Sequence, residues 1–221
     1  MKNIAIIPAR GGSKRIPNKN IKQFFGRPVI SYAIRTALES KIFDTVMVST
    51  DSIEIRDIAI SYNAEVPFLR SAKSSGDRAT IVDVVEEVIS EYTKKGTDFD
   101  YGCCLYPISP LTDIKILKKG FDTLHKDNLH SVLPLQKTPQ PIERSFKKDQ
   151  NNRLQIMNLE AIPKMSQDFT PSYFDTGQFI WFNVKKSIEL KALVSSHSSG
   201  IVLSELQFQD VIQLRNGNYL R

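Results

Sequence analysis

Apolar residues along this chain follow two alternating patterns. Short runs of β-branched and other apolar residues predict strands at residues 3–7, 45–50, 101–105 and 131–135. Between these runs the apolar positions recur with the period of an α-helix, as in the segment TIVDVVEEVISEYTKK at 80–95. Because strands alternate with helices, the pattern predicts an α/β fold in which helices cover both faces of a mainly parallel sheet.

Polar residues at the predicted helix starts support these boundaries. Thr80 and Asp83 resemble a capping box, with Asp in place of the usual Glu or Gln. Asp51 is the expected cap of a helix over 51–62. Further helices are predicted over 29–40, 113–126 and 184–193, and a further strand over 178–183.

The alternation breaks between about residues 136 and 173. This segment contains Pro139, Pro141 and the polar turn KDQNNR, followed by an alternating run that ends near Met157. The pattern favours an inserted hairpin or arm over another strand–helix unit, and such arms often form dimer contacts. A surface excursion without a partner is the alternative. We therefore expect a single domain over 1–221 that carries an arm over 136–173.

Composition narrows the class of protein. The chain has 221 residues, of which 41% are hydrophobic and 24% charged, as is ordinary for a globular protein. Its apolar runs are shorter than a bilayer span or a signal-peptide core, so we expect a cytoplasmic protein without a membrane partner. The two cysteines, Cys103 and Cys104, are adjacent in a predicted strand, where their side chains point to opposite faces. They are expected to be buried small apolar residues and not a disulfide.

The net charge of +6 raises the question of a nucleic-acid partner. A nucleic-acid surface needs clustered cations with stacking aromatic residues. Here the cations are dispersed, apart from a loop over 10–22, and the aromatic residues fall mainly in predicted core runs. We expect no nucleic acid to bind. A basic interaction module stays open as an alternative, and salt-sensitive binding to random oligonucleotides would support it.

The stretch IIPARGGSKRIPNKN, residues 6–20, sets an apolar run directly against glycines and cations. Gly11 and Gly12 allow the backbone to approach an oxyanion closely, and Arg10 and Lys19 can add charge-assisted hydrogen bonds. The loop follows the first strand, at the sheet edge where ligands of such folds bind. The spacing fits neither the P-loop nor the dinucleotide fingerprint. The glycines and cations of residues 6–20 predict a phosphate-binding loop. A simple basic turn is the alternative.

Several segments together resemble one family. IIPARGGSKRIPNKNIKQFFGRPVISYAI, VMVSTDSIEI, AEVPFLRSAKSSGDRATIVDVV, YPISPL and YFDTGQFIWF are similar to motifs of the nonulosonic-acid cytidylyltransferases, the CMP-sialic acid synthetase family. LYPISPL and SYFDTGQFIW most resemble the pseudaminic-acid branch, with Tyr106 where sialic-acid enzymes usually have Gln. The resemblance implies a Rossmann-like, GT-A-like three-layer fold with a dimerising arm. It also implies a homodimer that transfers CMP from CTP to the anomeric hydroxyl of a nine-carbon sugar acid, releases pyrophosphate and uses Mg²⁺.

The resemblance also implies roles for particular residues. The triphosphate would be held by Arg10, Gly11, Gly12, Ser13, Lys19 and Asn20, with Arg10 and Lys19 stabilising the departing pyrophosphate. The cytidine pocket would be bordered by Arg70, Asp77 and Thr80, and the sugar acid by Tyr106, Ser109, Arg144 and Gln178. The Arg144 guanidinium is the candidate partner of the sugar's carboxylate. Structural alternatives stay open: Thr80 as a helix cap, Asp77 as a turn residue, Arg70 as a strand-end cation and Tyr106 as a core residue.

The C-terminal segment departs from the family pattern. Asp210 matches the first residue of an Asp-x-Asp pair, which implies a catalytic metal ligand, but Ile212 occupies the second position. Mg²⁺ uses one or two carboxylates together with substrate phosphates, so one aspartate would give a weaker site unless another, such as Asp175, stands in. Transfer to pseudaminic acid is the leading hypothesis. The alternatives are the same reaction on legionaminic, N-acetylneuraminic or 3-deoxy-octulosonic acid, or a weakened paralogue that binds nucleotide.

Overall fold

The computed structural model describes residues 1–12, 16–204 and 207 of the chain. Its first half contains β1 Asn3–Pro8, β2 Gln23–Phe24, β3 Arg27–Pro28, α1 Ile30–Ser40, β4 Thr45–Ser49, α2 Ile53–Ser61, α3 Ala72–Ser75, α4 Ile81–Lys94 and β5 Tyr101–Leu105. The second half contains α5 Ile114–Lys126, β6 Ser131–Lys137, β7 Phe146–Lys148, β8 Leu154–Ile156, β9 Tyr173–Asp175, β10 Phe179–Asn183, α6 Val184–Leu190 and β11 Ser198–Val202. Every strand and helix that the sequence predicts is present, although α6 ends before residue 193.

The central sheet confirms the predicted α/β class. It has seven strands in the order β11-β6-β10-β5-β1-β4, with β9 paired to β6. The β1–β4, β1–β5 and β6–β11 pairs are parallel, and β10 runs antiparallel between β5 and β6. The sheet is therefore mainly parallel, with one reversed strand near its centre.

Apolar side chains cover both faces of this sheet. Along β1, Ala5 and Ile7 belong to a core cluster that includes α1, α2 and α5, while Ile4 and Ile6 belong to a second cluster that includes α4. These strand residues are all fully buried, which explains why β1 reads as a continuous apolar run and not as an alternating one. The three layers of the fold follow directly from that pattern.

The adjacent cysteines behave as the sequence predicts. Both are buried, and they belong to different core clusters on the two faces of the sheet. Burial raises the pKa of both thiols, so neither Cys103 nor Cys104 is poised to react as a thiolate.

A three-residue bulge interrupts the strand that pairs with β6. Asp175 pairs with Leu135 and Trp181 with Val132, so the β9–β10 segment has three more residues between these pairs than β6 has. The extra residues lie opposite Pro134, which has no N–H to offer to a regular ladder. Instead, the Pro134 carbonyl accepts hydrogen bonds from the N–H and the hydroxyl of Thr176, at 3.2 and 3.1 Å. This bulge lies beside the end of β5, where it forms part of the candidate site.

Two helix starts test the capping predictions. The Thr80–Asp83 capping box is present at α4. The predicted cap of α2 is wrong, because Ser52 and not Asp51 is the N-cap and accepts the Ile55 N–H. Asp51 turns its carboxylate toward the first loop instead.

Between the end of β6 at Lys137 and the start of β9 at Tyr173 the chain leaves the central sheet, and the arm over 136–173 stays a prediction. This segment contains the β7–β8 hairpin, whose residues are all exposed, and it returns to the sheet where Lys137 pairs with Tyr173. Elsewhere, none of the helices within 1–12, 16–204 and 207 is long and apolar enough to cross a membrane.

Candidate functional site

A cleft of about 370 Å³ opens where the parallel strands end. Its walls come from the loop after β1, from the α3–α4 region and from the segment after β5. Seven of the residues singled out from the sequence line it: Arg10, Lys19, Asn20, Arg70, Asp77, Thr80 and Tyr106. The structure thus brings together residues that are up to about a hundred positions apart, at the sheet edge where the sequence places them.

The first loop is held in place by contacts at its two ends. The Asn20 side-chain amide is buried and donates to the Arg10 carbonyl at 3.0 Å. The Arg10 guanidinium faces Asp77 across the cleft, with Nη1 3.5 Å from Oδ1. This ion pair is half-exposed, so its own contribution to stability is small, and it leaves the cation at the cleft surface. Arg10 is therefore positioned to meet an anion.

Gly11 is explained by packing as well as by its flexibility. Its N–H donates to Asp51 Oδ1 at 2.7 Å. A Cβ at this position would lie 3.0 Å from the Ser52 Cβ, which is closer than side chains tolerate without a shift. The N–H of Gly11 is thus directed to a protein carboxylate, whereas the sequence predicts that it faces a phosphate.

Arg70 is the buried cation of the site. Its guanidinium donates to the Ser49 hydroxyl at 3.0 Å and also to the Ser49 carbonyl, while its backbone N–H donates to Thr50. Burial lowers the pKa of Arg70, and the carboxylates of Asp51 and Glu87 oppose that shift. An arginine stays protonated in proteins, so the floor of the cleft carries a fixed positive charge. The alternative interpretation as a solvated strand-end cation is wrong, since the side chain is buried.

Thr80 has a complete structural role at the start of α4. Its hydroxyl accepts the Asp83 N–H at 3.2 Å and donates to Asp83 Oδ2 at 2.7 Å, and its own N–H donates to the same oxygen. The pKa of Asp83 is lowered, mostly by the hydrogen bond from the Thr80 N–H and to a lesser extent by the one from the Thr80 hydroxyl. Thr80 also borders the cleft. The geometry therefore confirms the cap and leaves a nucleotide contact as a prediction.

The wall after β5 is tied to the β9–β10 bulge. The Tyr106 N–H donates to the Gln178 carbonyl at 3.0 Å, and the Ser109 hydroxyl donates to the Gly177 carbonyl at 2.9 Å. Gln178 is buried, and its side-chain amide donates to the Gln207 carbonyl. These hydrogen bonds tie Tyr106, Ser109 and Gln178 together, and of the three Tyr106 borders the described cleft. Burial raises the pKa of the Tyr106 phenol, which stays neutral as a hydrogen-bonding group.

Asp175 begins the same bulge. Its carboxylate accepts the Gly177 N–H at 2.8 Å and so closes the turn that the sequence Asp-Thr-Gly indicates. Desolvation raises the pKa of Asp175, and that hydrogen bond opposes the shift. This contact gives Asp175 a role in the turn.

Arg144 lies apart from the other candidates. It is exposed on the arm, in a short 3₁₀ turn, and donates to the Ser166 hydroxyl at 3.4 Å. It does not belong to the described wall of the cleft within this chain. A role for Arg144 in binding a sugar acid therefore stays a prediction.

Some of the residues considered for a metal site lie outside the described part of the chain. Ser13 and Asp210, as well as Ile212, lie outside them. Across residues 1–12, 16–204 and 207, no three side chains of His, Cys, Asp or Glu gather as a metal site. Asp77 is the one carboxylate on the described cleft wall. One carboxylate with substrate phosphates and waters fits the donor set of Mg²⁺, and a closed protein cage does not form here.

Ser49 and Asp51 are site residues that sequence reasoning did not select. Ser49 is the last residue of β4, which is adjacent to β1, and Asp51 lies two positions later; they contact Arg70 and Gly11, respectively. The signal was available in VSTD, because polar residues directly after a buried strand lie at the same sheet edge as the first loop.

A second and larger cavity lies at the opposite edge of the sheet. It measures about 680 Å³ and is bordered by Met1, by the residues at the start of β5 and just before it, such as Asp100, and by α6, including Lys186. The residues that the sequence singles out do not line it, so we assign the chemistry to the smaller cleft.

Known proteins share much of this sequence. A model of the cytidylyltransferase family matches residues 4–192. A pseudaminic acid cytidylyltransferase of Campylobacter jejuni (strain NCTC 11168) is 39% identical over 203 residues, covering 92% of this chain and 88% of that protein. A CMP-N,N'-diacetyllegionaminic acid synthase of Legionella pneumophila is 29% identical, covering 93% of this chain and 88% of that protein.

Solved structures show the same fold. A CMP:2-keto-3-deoxy-manno-octonic acid synthetase complexed with CTP superposes with a TM-score of 0.67 at 15% identity, covering 92% of this chain and 91% of that one. At that identity the likeness carries the fold alone, and it confirms the Rossmann-like nucleotidyltransferase architecture. Since the family model matches most of the sequence and the fold agrees, the chain belongs to the cytidylyltransferase family.

Proposed function

We propose that this chain transfers CMP from CTP to the anomeric hydroxyl of pseudaminic acid and releases pyrophosphate. The observation that carries the proposal is the cleft, in which Arg10, Lys19 and the buried Arg70 converge at the end of the parallel strands. The choice of sugar acid is supported by the relative from Campylobacter jejuni, whose name states that substrate and which is 39% identical to this chain.

Each wall of the cleft has a proposed task. Arg10, Gly12, Ser13, Lys19 and Asn20 hold the triphosphate, with Arg10 and Lys19 neutralising the charge that develops on the departing pyrophosphate. Because little covalent help is needed in such a transfer, position and charge supply most of the catalysis.

The nucleoside and the sugar acid occupy the other walls. Arg70, Asp77 and Thr80 border the cytidine. Tyr106, Ser109 and Gln178 face the sugar acid, for which their linked backbone gives a rigid surface. We propose that Arg144 meets the carboxylate of the sugar acid bound by a second copy of the chain, because Arg144 is exposed on the arm.

We propose Mg²⁺ as the cofactor, with Asp210 as its carboxylate ligand and the phosphates of CTP as further ligands. When bound, Mg²⁺ would neutralise phosphate charge. Since CTP belongs to the cytoplasm, we also propose that location for the chain.

The arm supports a homodimer. Nine large apolar side chains on it are more than a third exposed: Ile142, Phe146, Leu154, Ile156, Met157, Leu159, Ile162, Met165 and Tyr173. Exposed apolar side chains in this number point to an interaction site, and a second copy of the chain would cover them in a symmetric dimer. Light scattering after size exclusion should give twice the chain mass, 25.1 kDa. The double variant Phe146→Ser/Leu154→Ser should elute as a monomer, whereas Leu190→Ser, equally exposed outside the arm, should not.

The proposed reaction is tested by pyrophosphate release from CTP and Mg²⁺ with pseudaminic, legionaminic and N-acetylneuraminic acids in parallel. Release with pseudaminic acid alone supports the proposal. Release with only one of the other acids would identify that acid as the substrate. If none of the three acids supports pyrophosphate release while CTP still binds, the chain is a nucleotide-binding paralogue.

A pair of arginine variants locates the reaction in the cleft. Arg10→Ala should lower kcat/KM about 100-fold or more, since it removes a donor to the reacting phosphates. Arg35→Ala is the matched control, because Arg35 also forms one half-exposed ion pair, with Glu39, but on α1. Equal activity of the two variants would contradict the assignment of the cleft.

A further inference from the structure

The end of β4 and the residues directly after it connect the two cationic parts of the cleft. Ser49 accepts the Ala9 N–H through its carbonyl and the Arg70 guanidinium through its hydroxyl. Two positions later, Asp51 accepts the Gly11 N–H at 2.7 Å. One short segment therefore fixes both the loop after β1 and the buried Arg70.

Asp51 is an unexpected residue at an anion site. A carboxylate near bound phosphates repels them, so its place there needs a compensating role. Its Oδ1 is directed at a backbone N–H, and the positive charge of Arg70 lies close enough to interact with it. It does not cap α2, which is capped by Ser52.

We infer that Asp51 is a positioning residue for the phosphate-binding loop. By accepting the Gly11 N–H, it sets the path of the backbone at residues 9–12, and so directs the neighbouring Arg10 side chain into the cleft. The inference rests on the proposed function, in that the anion is the triphosphate of CTP.

The contact explains why Gly11 itself is required. A hydrogen bond of 2.7 Å draws this backbone against the start of α2, where an added Cβ would meet Ser52 Cβ at 3.0 Å. Gly11 and Asp51 thus act as one unit: the carboxylate attracts the loop, and the missing side chain lets it come close.

The experiment measures the affinities for CTP and for cytidine of the full chain and of two Asp51 variants. Asp51→Ala removes the acceptor and should weaken CTP binding about tenfold, which corresponds to about 1.4 kcal/mol. Asp51→Asn keeps an acceptor oxygen without the charge and should stay within about threefold of the wild type. Cytidine has no phosphates, so its affinity, measured by ligand-observed NMR, should not change in either variant.

The chain offers a matched control at the other end of the same strand. Asp44 precedes β4, and its Oδ2 accepts the Asn3 N–H of β1, also at 2.7 Å. Asp44→Ala removes the same kind of contact between the same neighbouring segments, but far from the cleft. It should lower the melting temperature and leave CTP affinity unchanged.

A second route guards against an Asp51→Ala variant that does not fold. Gly11→Ala should displace the loop through the Ser52 contact and produce the same selective loss of CTP affinity. The inference is overturned if Asp51→Ala binds CTP like the wild type, if cytidine affinity falls equally, or if Asp44→Ala has the same effect.

The two proposals fail in distinguishable ways. A wild-type chain that binds CTP and releases no pyrophosphate with any sugar acid refutes the proposed function, while the CTP affinities still test Asp51. A wild-type chain that does not bind CTP overturns both.

Discussion

The cleft and the arm differ in how far the rest of the chain contacts their side chains. At the cleft, polar side chains are tied down by the protein itself, as Arg70 is by Ser49 and as Gly11 is by Asp51. On the arm, large apolar side chains such as Phe146 and Leu154 are more than half exposed. The cleft is therefore preformed before any ligand arrives, whereas the arm has apolar surface that its own chain does not cover. The difference indicates that the side chains of the first region serve stability, and it underlies the proposal that the second region serves association.

The largest expected effect comes from breaking the cleft. Arg70→Met would leave the Ser49 hydroxyl without its buried donor and the Ser49 carbonyl with the Ala9 N–H alone, at a cost of about 3 kcal/mol in the free energy of unfolding. Urea denaturation measures this loss. Arg56→Met, which removes an exposed arginine paired with Asp57, should change the same quantity by less than about 0.5 kcal/mol. Similar losses in the two variants would show that the cleft is not held by Arg70.

A smaller effect separates the two roles of Thr80. Thr80→Ala should lower the free energy of unfolding by about 1 kcal/mol, because the N-cap hydroxyl is lost. Thr80→Ser keeps the hydroxyl and is the control. If Thr80→Ala raises the KM for CTP and leaves stability unchanged, the residue serves the nucleotide and not the helix.

The arm should be the more tolerant region. In dilute solution, where a dimer dissociates, Phe146→Ser/Leu154→Ser should change the free energy of unfolding by less than about 0.5 kcal/mol, since neither side chain is buried. At high concentration only the wild type should gain stability, because association favours the folded state. Melting curves over a hundredfold range of protein concentration test this. If the melting temperatures of both proteins depend equally on concentration, the arm is not part of the interface.

The smallest effect concerns acid. The pKa of Asp83 is lowered in the folded chain, so its contribution is complete above the ordinary pKa of an aspartate, about 3.9. The contribution disappears as the pH falls through the lowered value. Asp83→Asn should therefore melt below the wild type at pH 7, and the two melting temperatures should converge as the pH falls below about 4. If the difference between the two melting temperatures stays constant across this pH range, the charged carboxylate of Asp83 does not stabilise the folded chain.

The sequence predicts the elements of this fold better than their connections. The continuous apolar run of β1 and the helical period of α4 identify those elements because each is buried in the way its pattern requires. The reversed direction of β10 is not encoded in its own residues, since a buried strand has the same composition in either direction. It depends on which strands flank it.

Candidate site residues divide in the same way. Arg10 and Lys19 can be selected from a local motif next to a strand. Asp51 cannot, because the same residue type fits the cap of α2 equally well, and only tertiary contact with Gly11 decides between them. The place of Arg144 likewise depends on how the arm folds, which short-range patterns do not fix.

The central place of β10 has a consequence for the order in which the protein can fold on the ribosome. β10 lies between β5 and β6, yet it is synthesised only after the whole arm. Until then β5 has one unpaired edge, and such an edge invites pairing with another chain. A nascent or truncated product that stops before Phe179 would thus lack the strand that joins the two halves of the sheet, and it would be the species most prone to aggregate. The residues from Phe179 onward would thus decide whether the part of the sheet made before them stays in solution.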